Sequence, residues 1–190
     1  MARTKKTEVE KEIVKEIVKE PVVYVEKEEK VVLLFVGEVR DGTVVDLGNE
    51  LGKINGSFNT IDINKKDFIQ KRSLVMDKML KKKKLIVLSG LTEDEKKRYG
   101  ISYDEKEILT VDLRHNILNL PLEKLKNIYS DLCEEHKKVV ATIFIDAYGR
   151  KNPLVTQEKV KALNKISKEV DKEGLFTPIL RDMGEKLGDE

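Results

Sequence analysis

The chain contains no tryptophan, a single cysteine and only four prolines. With aromatic residues at 5%, a hydrophobic core has to be built mostly from Val, Ile and Leu. The lone Cys133 excludes an internal disulfide and is typical of a protein made in a reducing compartment. The sequence also lacks an apolar run near the ~20 residues of a membrane span, and it lacks an N-terminal signal segment. These absences predict a soluble protein made in the cytoplasm, with no membrane partner.

A strong net charge of either sign is also lacking. The 37 Lys and Arg residues nearly balance the 35 Asp and Glu residues, which leaves +2 on a chain that is 38% charged. A field able to collect nucleic acid without specificity is therefore not expected from the whole molecule. The local excess of positive charge lies in residues 31–90, which carry 11 basic and 7 acidic side chains, and it is densest in the KKKK run from Lys81 to Lys84.

The N-terminal segment repeats a four-residue unit, KEIVKEIVKEPV, over residues 11–22. On a helix its aliphatic side chains share one broad side, and Glu and Lys residues three apart form favourable pairs. Pro21 ends such a helix, and the β-branched residues weaken it, so we expect the segment to order only against a partner. The sequence thus predicts an N-terminal amphipathic arm, residues 1–21, that contacts other proteins through Val9, Ile13, Val14, Ile17 and Val18.

Residues 22–90 read as a small antiparallel β-rich unit. Short β-branched runs alternate with turn signals, and Asp41-Gly42 and Asn55-Gly56 each favour a type I′ hairpin. We expect three to five strands up to residue 63, then one packed helix with its N-cap at Asn64 or Ser73. A strand from Leu85 to Leu88 follows. The predicted buried face of the helix comprises Phe68, Ile69, Leu74, Val75, Met79 and Leu80.

Residues 91–190 read as a C-terminal helical bundle. Thr92 and Glu95 form a capping-box signal, and apolar residues keep a helical spacing from Leu122 to Gly149, as one long helix or two. Between these helices, EILTVDL at 107–113 is a candidate isolated strand. The expected fold is α+β, with an arm (1–21), a β-rich domain (22–90) and a helical domain (91–190). The boundary near residue 90 joins either two domains or two layers of one.

Two further helices are predicted near the C-terminus. The first begins at Thr156, with Val155 and Val160 placed as a hydrophobic staple and Gly174 at its C′ position. The second is short and begins with Thr177 as its N-cap and Pro178 at its first position.

No motif for chemistry appears in the sequence. Cys133 and His136 lie three residues apart and, with His115, make three possible metal ligands, but no second Cys-x-x-Cys or His-rich partner accompanies them. The plainer interpretation places Cys133 and His136 on the apolar stripe of a core helix. A P-loop, a dinucleotide fingerprint and a nucleophile elbow are all absent. We therefore expect a protein that is not an enzyme, without cofactor, metal or small-molecule substrate.

Nucleic acid is the second partner class that the sequence suggests. A basic face at one end of the β-rich unit would contact phosphates without reading sequence. The alternative is a solvated lysine run at a helix C-terminus, where cations are favourable. The candidate phosphate contacts are Lys71, Arg72, Lys78, Lys81, Lys82, Lys83 and Lys84.

Two stretches resemble pieces of small accessory structural proteins of bacteriophage particles. They are GEVRDGTVVDLGNELGKINGSFNTIDINKKDF and SLVMDKMLKKKKLIVLSG. The likeness is one of style, namely short strands, a charged arm elsewhere in the chain and no catalytic motif. The resemblance implies a component of a virus head, neck or tail that binds other structural proteins of the same assembly. The sequence thus favours a non-enzymatic structural or adaptor protein, made in the cytoplasm and incorporated in a particle. The alternative is a small nucleic-acid-associated regulatory protein that uses the basic face.

Overall fold

The computed structural model describes residues 29–37 and 42–184. The five predicted arm contacts, Val9 to Val18, lie outside these residues. Within the described chain the elements follow in this order: β1 (Lys30–Phe35), β2 (Val44–Asp46), β3 (Lys53–Asn55), β4 (Asn59–Asn64), α1 (Lys65–Gln70), α2 (Leu74–Lys81), β5 (Leu85–Ser89), α3 (Glu93–Arg98), α4 (Val111–Asn116), α5 (Leu122–Asp131), α6 (Glu134–Gly149), α7 (Gln157–Ser167) and α8 (Thr177–Asp182). The predicted α+β fold is confirmed.

The main sheet has three antiparallel strands in the order β4-β1-β5. In the centre of the sheet, Leu33 of β1 pairs with Ile61 of β4, and Leu34 pairs with Ile86 of β5. As the central strand, β1 has the continuous apolar sequence VVLLF, which suits a strand that is covered on both faces.

The two faces of β1 belong to two hydrophobic clusters. Val31, Leu33 and Phe35 pack with Phe68 of α1 and with α2. Leu34 and Val36, on the opposite face, join the cluster that contains the helices of the C-terminal half. This follows from the alternation of side chains along a strand. The sheet therefore lies between the two short helices and the bundle, which favours two layers of one domain, and the division at residue 90 stays a prediction.

The structure forms a hairpin turn at a place where neither of the two predicted turns lies. Strands β2 and β3 pair with each other, Val45 opposite Ile54, and are joined by a turn in which Asn49 and Glu50 both have positive φ. Leu51 N–H donates to Gly48 O across this turn at 3.0 Å. The prediction at Asn55-Gly56 was wrong, because that pair leads from β3 to β4, which belong to different ladders. Of the other predicted turn, Asp41 lies outside the described residues.

Two short helices replace the single predicted one, because both candidate caps are used. The Asn64 side chain accepts a hydrogen bond from Lys66 N–H at 2.9 Å and begins α1. Ser73 Oγ accepts from Met76 N–H at 3.0 Å and begins α2. Ser73 Oγ also donates to Leu47 O, which ties the start of α2 to the β2–β3 hairpin.

The segment EILTVDL is not a strand. Thr110 Oγ1 accepts from Leu113 N–H at 3.2 Å and caps α4, so the helix begins inside the predicted strand. The apolar spacing from Leu122 to Gly149 forms two helices, α5 and α6. They are separated at Leu132 and Cys133, where Cys133 N–H donates to Glu107 O at 3.0 Å in place of a helical bond.

The bundle has an aromatic centre. Tyr129, Phe144 and Phe176 are fully buried, and Phe176 meets each of the other two rings edge-on at 5.7 Å between centroids. Val155 and Val160 are both buried, as the staple predicts.

Helix α7 is shorter than predicted and ends at Ser167. The Ser167 hydroxyl accepts from Leu175 N–H, and Asn164 Oδ1 accepts from Phe176 N–H, each at 2.8 Å. These side chains fold the chain back onto α7, so Gly174 lies in the turn before α8 rather than at the end of α7. Helix α8 includes Thr177, and its N-cap is Phe176, one residue before the one predicted.

Candidate docking surface

The seven predicted basic residues lie on α2 and in the segments on either side of it. Lys71 and Arg72 precede the helix, Lys78 and Lys81 belong to it, and Lys82 to Lys84 lead into β5. Lys83 adopts a left-handed conformation with φ of +58°. Its N–H donates to Leu80 O at 3.0 Å and Lys84 N–H donates to Met79 O at 2.9 Å, which closes the helix C-terminus. The basic run is therefore held in a defined turn.

Four of the seven cations have carboxylate partners within the chain. Lys71 pairs with Asp67 at 3.2 Å, and Arg72 pairs with Asp77 at 2.5 Å. The other two reach the C-terminal half, Lys83 to Glu107 at 2.5 Å and Lys84 to Glu135 at 3.2 Å. The Arg72 guanidinium also lies over the Tyr99 ring, 5.2 Å from its centroid. These four cations serve internal contacts.

The other three basic residues, Lys78, Lys81 and Lys82, are exposed. Among the described residues they form no ion pair. They lie on the side of α2 that faces away from the sheet, since Met76 and Leu80 occupy the buried side. Lys138, and to a smaller extent the nearby Lys82, lower the pKa of the Glu134 carboxyl, so the charges of Lys78 and Lys81 are the ones most available to a partner.

Two aliphatic side chains share this side of α2. Leu74 is 80% exposed and Val75 is 50% exposed. Residues 74, 75, 78, 81 and 82 follow the spacing of one helical face. We call Leu74, Val75, Lys78, Lys81 and Lys82 the α2 outer face. Single exposed aliphatic residues are ordinary, but an adjacent pair beside three unpaired cations is a feature typical of an interaction surface.

The prediction that Leu74 and Val75 belong to the buried face of the helix was wrong. It assumed one continuous helix, whereas Ser73 begins a new one. The spacing from Leu74 to Lys78 and Lys82, four residues each, carried the signal, because it places Leu74 in line with lysines rather than with Met76 and Leu80.

A groove of about 550 Å³ lies between the C-terminal end of α2 and the N-terminal end of α6. Its acidic residues are already paired, since Lys138 contacts Glu134 at 2.7 Å and Lys84 contacts Glu135 at 3.2 Å. The groove continues the basic end of the α2 outer face. Its lining residues are Lys78, Lys81, Lys82, Lys83, Cys133, Glu134, Glu135 and Lys138.

Cys133 and His136 do not form a reactive pair. Burial raises the pKa of the Cys133 thiol, so this group stays protonated at neutral pH. Both ring nitrogens of the fully buried His136 are used by the backbone. Leu109 N–H donates to Nδ1 at 2.8 Å, and Nε2 lies 2.8 Å from Lys83 O.

His115, the third possible ligand, is exposed on α4. Over residues 29–37 and 42–184, no group of three His, Cys, Asp or Glu side chains is arranged to hold a metal.

No protein-family model matches this chain, and no curated protein or solved structure is significantly similar to it. The functional argument therefore depends on the surface chemistry of the chain itself. In the described part of the chain, each helix is too short or too polar to cross a bilayer.

Proposed function

We propose that this protein is a non-enzymatic docking component of a larger protein assembly and that it binds its partner through the α2 outer face. The observation that carries the proposal is the exposure of Leu74 and Val75 beside three lysines without an ion pair among the described residues. Aliphatic anchors flanked by cations suit a partner surface that offers an apolar pocket bordered by carboxylates.

The expected energies assign different roles to the two kinds of side chain. Full burial of a Leu or Val side chain contributes about 1.5–3 kcal/mol. Exposed charge pairs contribute about 0–1 kcal/mol each and act mainly on association rate and orientation. A single contact of this size is weak, so the assembly would gain strength from repeated contacts.

In its finer form, the proposal identifies the assembly as a bacteriophage particle, in its head, neck or tail. The support for this is the resemblance of the two sequence stretches that include β2 to β5 and α2. The Leu74 and Val75 pair lies within the second of these stretches. The partners are then other structural proteins of the virion.

Co-purification from the native source tests the proposal. The full chain, tagged at its C-terminus, is compared with Leu74→Ser/Val75→Ser, and the captured proteins are identified by mass spectrometry. Leu88→Ser is the matched control, because Leu88 is 52% exposed and alternates with Leu85 and Val87, the β5 residues that pack with α2, so it lies on the opposite face of the strand. We expect the control to retain the same structural proteins and the α2 variant to lose them. Equal capture by both variants would contradict the proposal.

A DNA-binding titration against salt tests the nucleic-acid alternative. With three lysines available, the slope of the logarithm of the DNA-binding constant against log[salt] should be no steeper than about −3, since each phosphate contact contributes about −0.9. The docking proposal expects no binding that can be fitted at moderate salt. A steep slope that Lys78→Gln/Lys81→Gln/Lys82→Gln abolishes would favour the alternative.

A further inference from the structure

The connection from β3 to β4 contains Asn55-Gly56, the single Asn-Gly pair of the sequence. An asparagine followed by glycine is the peptide sequence most open to spontaneous deamidation. Glycine has no side chain that would shield its amide nitrogen, and its backbone rotates more freely than that of other residues. Asn55 is exposed at the end of β3, so water reaches its side-chain amide.

Deamidation at this pair requires only the chain itself and water. The Gly56 amide nitrogen loses its proton and attacks Cγ of Asn55, which forms a new C–N bond and a cyclic imide. The bond from Cγ to the side-chain nitrogen breaks, and that nitrogen leaves with the proton as ammonia. Water then opens the imide at either carbonyl and gives aspartate or isoaspartate. Nothing is oxidised or reduced in either step.

The folded chain holds the peptide group between Asn55 and Gly56 from both sides. Gly56 N–H donates to Thr43 O at 3.1 Å, which continues the β2–β3 ladder beyond Val44 and Asn55. The Asn59 side-chain amide donates to Asn55 O. In an antiparallel strand ψ is about +135°, which turns the following nitrogen away from the side chain. The attack therefore requires this peptide group to rotate, and rotation breaks both hydrogen bonds.

We propose that Asn55 is a modification site of this chain, converted to aspartate and isoaspartate when the β2–β3 hairpin opens. The hairpin is the weaker of the two sheets. Each of its strands has three residues, and among the described residues the two strands pair only with each other. A short two-stranded hairpin has little stability of its own, so it opens more readily than the three-stranded sheet.

The modification also acts on the support of α2, a consequence that rests on the proposed function. Isoaspartate routes the main chain through the former side chain and so lengthens it by one carbon directly after Ile54. Ile54 is fully buried in the same cluster as Leu47. Leu47 O accepts the hydrogen bond from Ser73 Oγ that fixes the start of α2. A displaced β3 therefore loosens the α2 outer face.

Peptide mapping by mass spectrometry tests the gating of Asn55. The full chain is incubated at neutral and mildly alkaline pH, folded in buffer and unfolded in guanidinium chloride, and conversion is followed over time. We expect conversion in denaturant and conversion at least about tenfold slower in the folded chain. A tenfold difference corresponds to an opening free energy of only about 1.4 kcal/mol. Both rates should rise with pH, because the nitrogen attacks only after it loses its proton.

Gly56→Ala identifies the attacking nitrogen. In denaturant this variant should convert more slowly than the wild-type chain, because a methyl group then crowds the nitrogen and restricts the backbone. An Asn55 that stays unmodified in denaturant would overturn the proposal. Equal rates in the folded and unfolded chains would overturn it as well, because the hairpin would then give no protection.

Asp46→Ala loosens the hairpin without touching the reacting groups. Asp46 Oδ1 accepts from Gly48 N–H at 2.8 Å at the start of the β2–β3 turn, and the side chain is exposed. Loss of this hydrogen bond should speed conversion of the folded chain by about two- to tenfold. Asp112→Ala is the matched control, since Asp112 is exposed on α4 and should leave the rate unchanged. Equal rates in both variants would contradict gating by the hairpin.

Capture from the native source separates this inference from the proposed function. The modified chain carries an additional negative charge and is purified by ion exchange. We expect it to capture fewer structural proteins than the unmodified chain, whereas Asn55→Asp, which adds the charge without lengthening the main chain, captures them normally. Equal capture by the modified and unmodified chains breaks the link to α2 and leaves the proposed function standing. If Leu74→Ser/Val75→Ser captures normally, the proposed function fails while the chemistry at Asn55 stands.

Discussion

At the scale of single residues, His136 ties the basic turn to the helical half. Because Leu109 N–H donates to Nδ1, that nitrogen carries a lone pair, and the proton of the neutral ring is on Nε2, which donates to Lys83 O. Protonation of Nδ1 would remove the acceptor that Leu109 N–H uses, although Glu107 O, 3.1 Å from Nδ1, could then accept from the ring. Burial, the largest effect, lowers the pKa of His136 below its ordinary value of 6.5.

The free energy of unfolding should therefore depend on pH through His136. Between the lowered pKa of the folded state and 6.5, the unfolded chain binds more protons, so stability is fully present above 6.5 and is lost as pH falls. His136→Gln cannot titrate and loses the ring contacts, about 1–3 kcal/mol at neutral pH. Urea unfolding at several pH values should show that the difference in the free energy of unfolding between wild type and variant becomes smaller as the pH falls.

His115→Gln is the matched control, because His115 is exposed on α4. Its free energy of unfolding should stay within about 0.5 kcal/mol of the wild-type value at neutral pH. A His136→Gln profile that runs parallel to that of the wild type would show that His136 does not titrate in this way.

Gly90 is the second residue for which the structure makes a specific prediction about stability. It follows β5 with φ of +92°, and a Cβ added there would lie 2.0 Å from Lys30 O. Gly90→Ala therefore has to displace the start of β1, at an expected cost of about 2–4 kcal/mol. Gly100→Ala isolates the clash, because Gly100 has φ of +67° and open space around it, and should cost only about 1–2 kcal/mol. Thermal unfolding measures both losses of stability. If Gly90→Ala and Gly100→Ala lost the same amount, Gly90 could not lie as close to Lys30 O as the structure shows.

At the scale of elements, local capping chemistry was the most predictable part of the fold. The pair Thr92 and Glu95 forms the expected reciprocal capping box, and Thr156 caps α7. Both signals depend only on residues within one turn, so the sequence is sufficient. The strand predicted around Thr110 failed because its β-branched residues also fit a helix N-terminus, and hydrogen bonding of the Thr110 hydroxyl decided between the two.

The orientation of α2 could not be predicted in the same way. The sequence LVMDKMLK allows either Leu74 and Val75 or Met76 and Leu80 to face inward. The hydrogen bond from Ser73 Oγ to Leu47 O, 26 residues away along the chain, fixes the start of the helix against the β2–β3 hairpin. Long-range contacts of this kind are not visible in the spacing of one element. The sequence therefore predicted only part of the candidate site. It identified the three lysines, but it assigned Leu74 and Val75 to the core.

Paired substitutions on α2 test this orientation. Leu74→Ala should change the free energy of unfolding by less than about 0.5 kcal/mol, since the side chain is exposed. Leu80→Ala, in the same helix, removes a side chain that is 4% exposed and should cost about 2–5 kcal/mol. Chemical denaturation measures both. A loss at Leu74 comparable to that at Leu80 would mean that the outer face is covered within the monomer.

At the scale of the whole molecule, the central strand connects the two halves. Leu34, Val36 and Ile86 of the sheet share a hydrophobic cluster with the bundle, while the opposite face of β1 packs on α1 and α2. The ion pairs Lys83–Glu107 and Lys84–Glu135 hold the turn after α2 against the bundle from outside. This packing leaves the α2 outer face directed away from both clusters. The fold thus presents an apolar and basic surface on a rigid support.

Labelling of lysines in the native assembly tests the central claim most directly. An amine-reactive reagent is applied to the free chain and to the intact assembly, and the modified positions are quantified by mass spectrometry. Lys165 and Lys168, which are exposed at the end of α7, serve as internal references. We predict that Lys78, Lys81 and Lys82 react in the free chain and are protected in the assembly, while the references react equally in both. Equal reactivity of the three α2 lysines in the free chain and in the assembly would contradict the account.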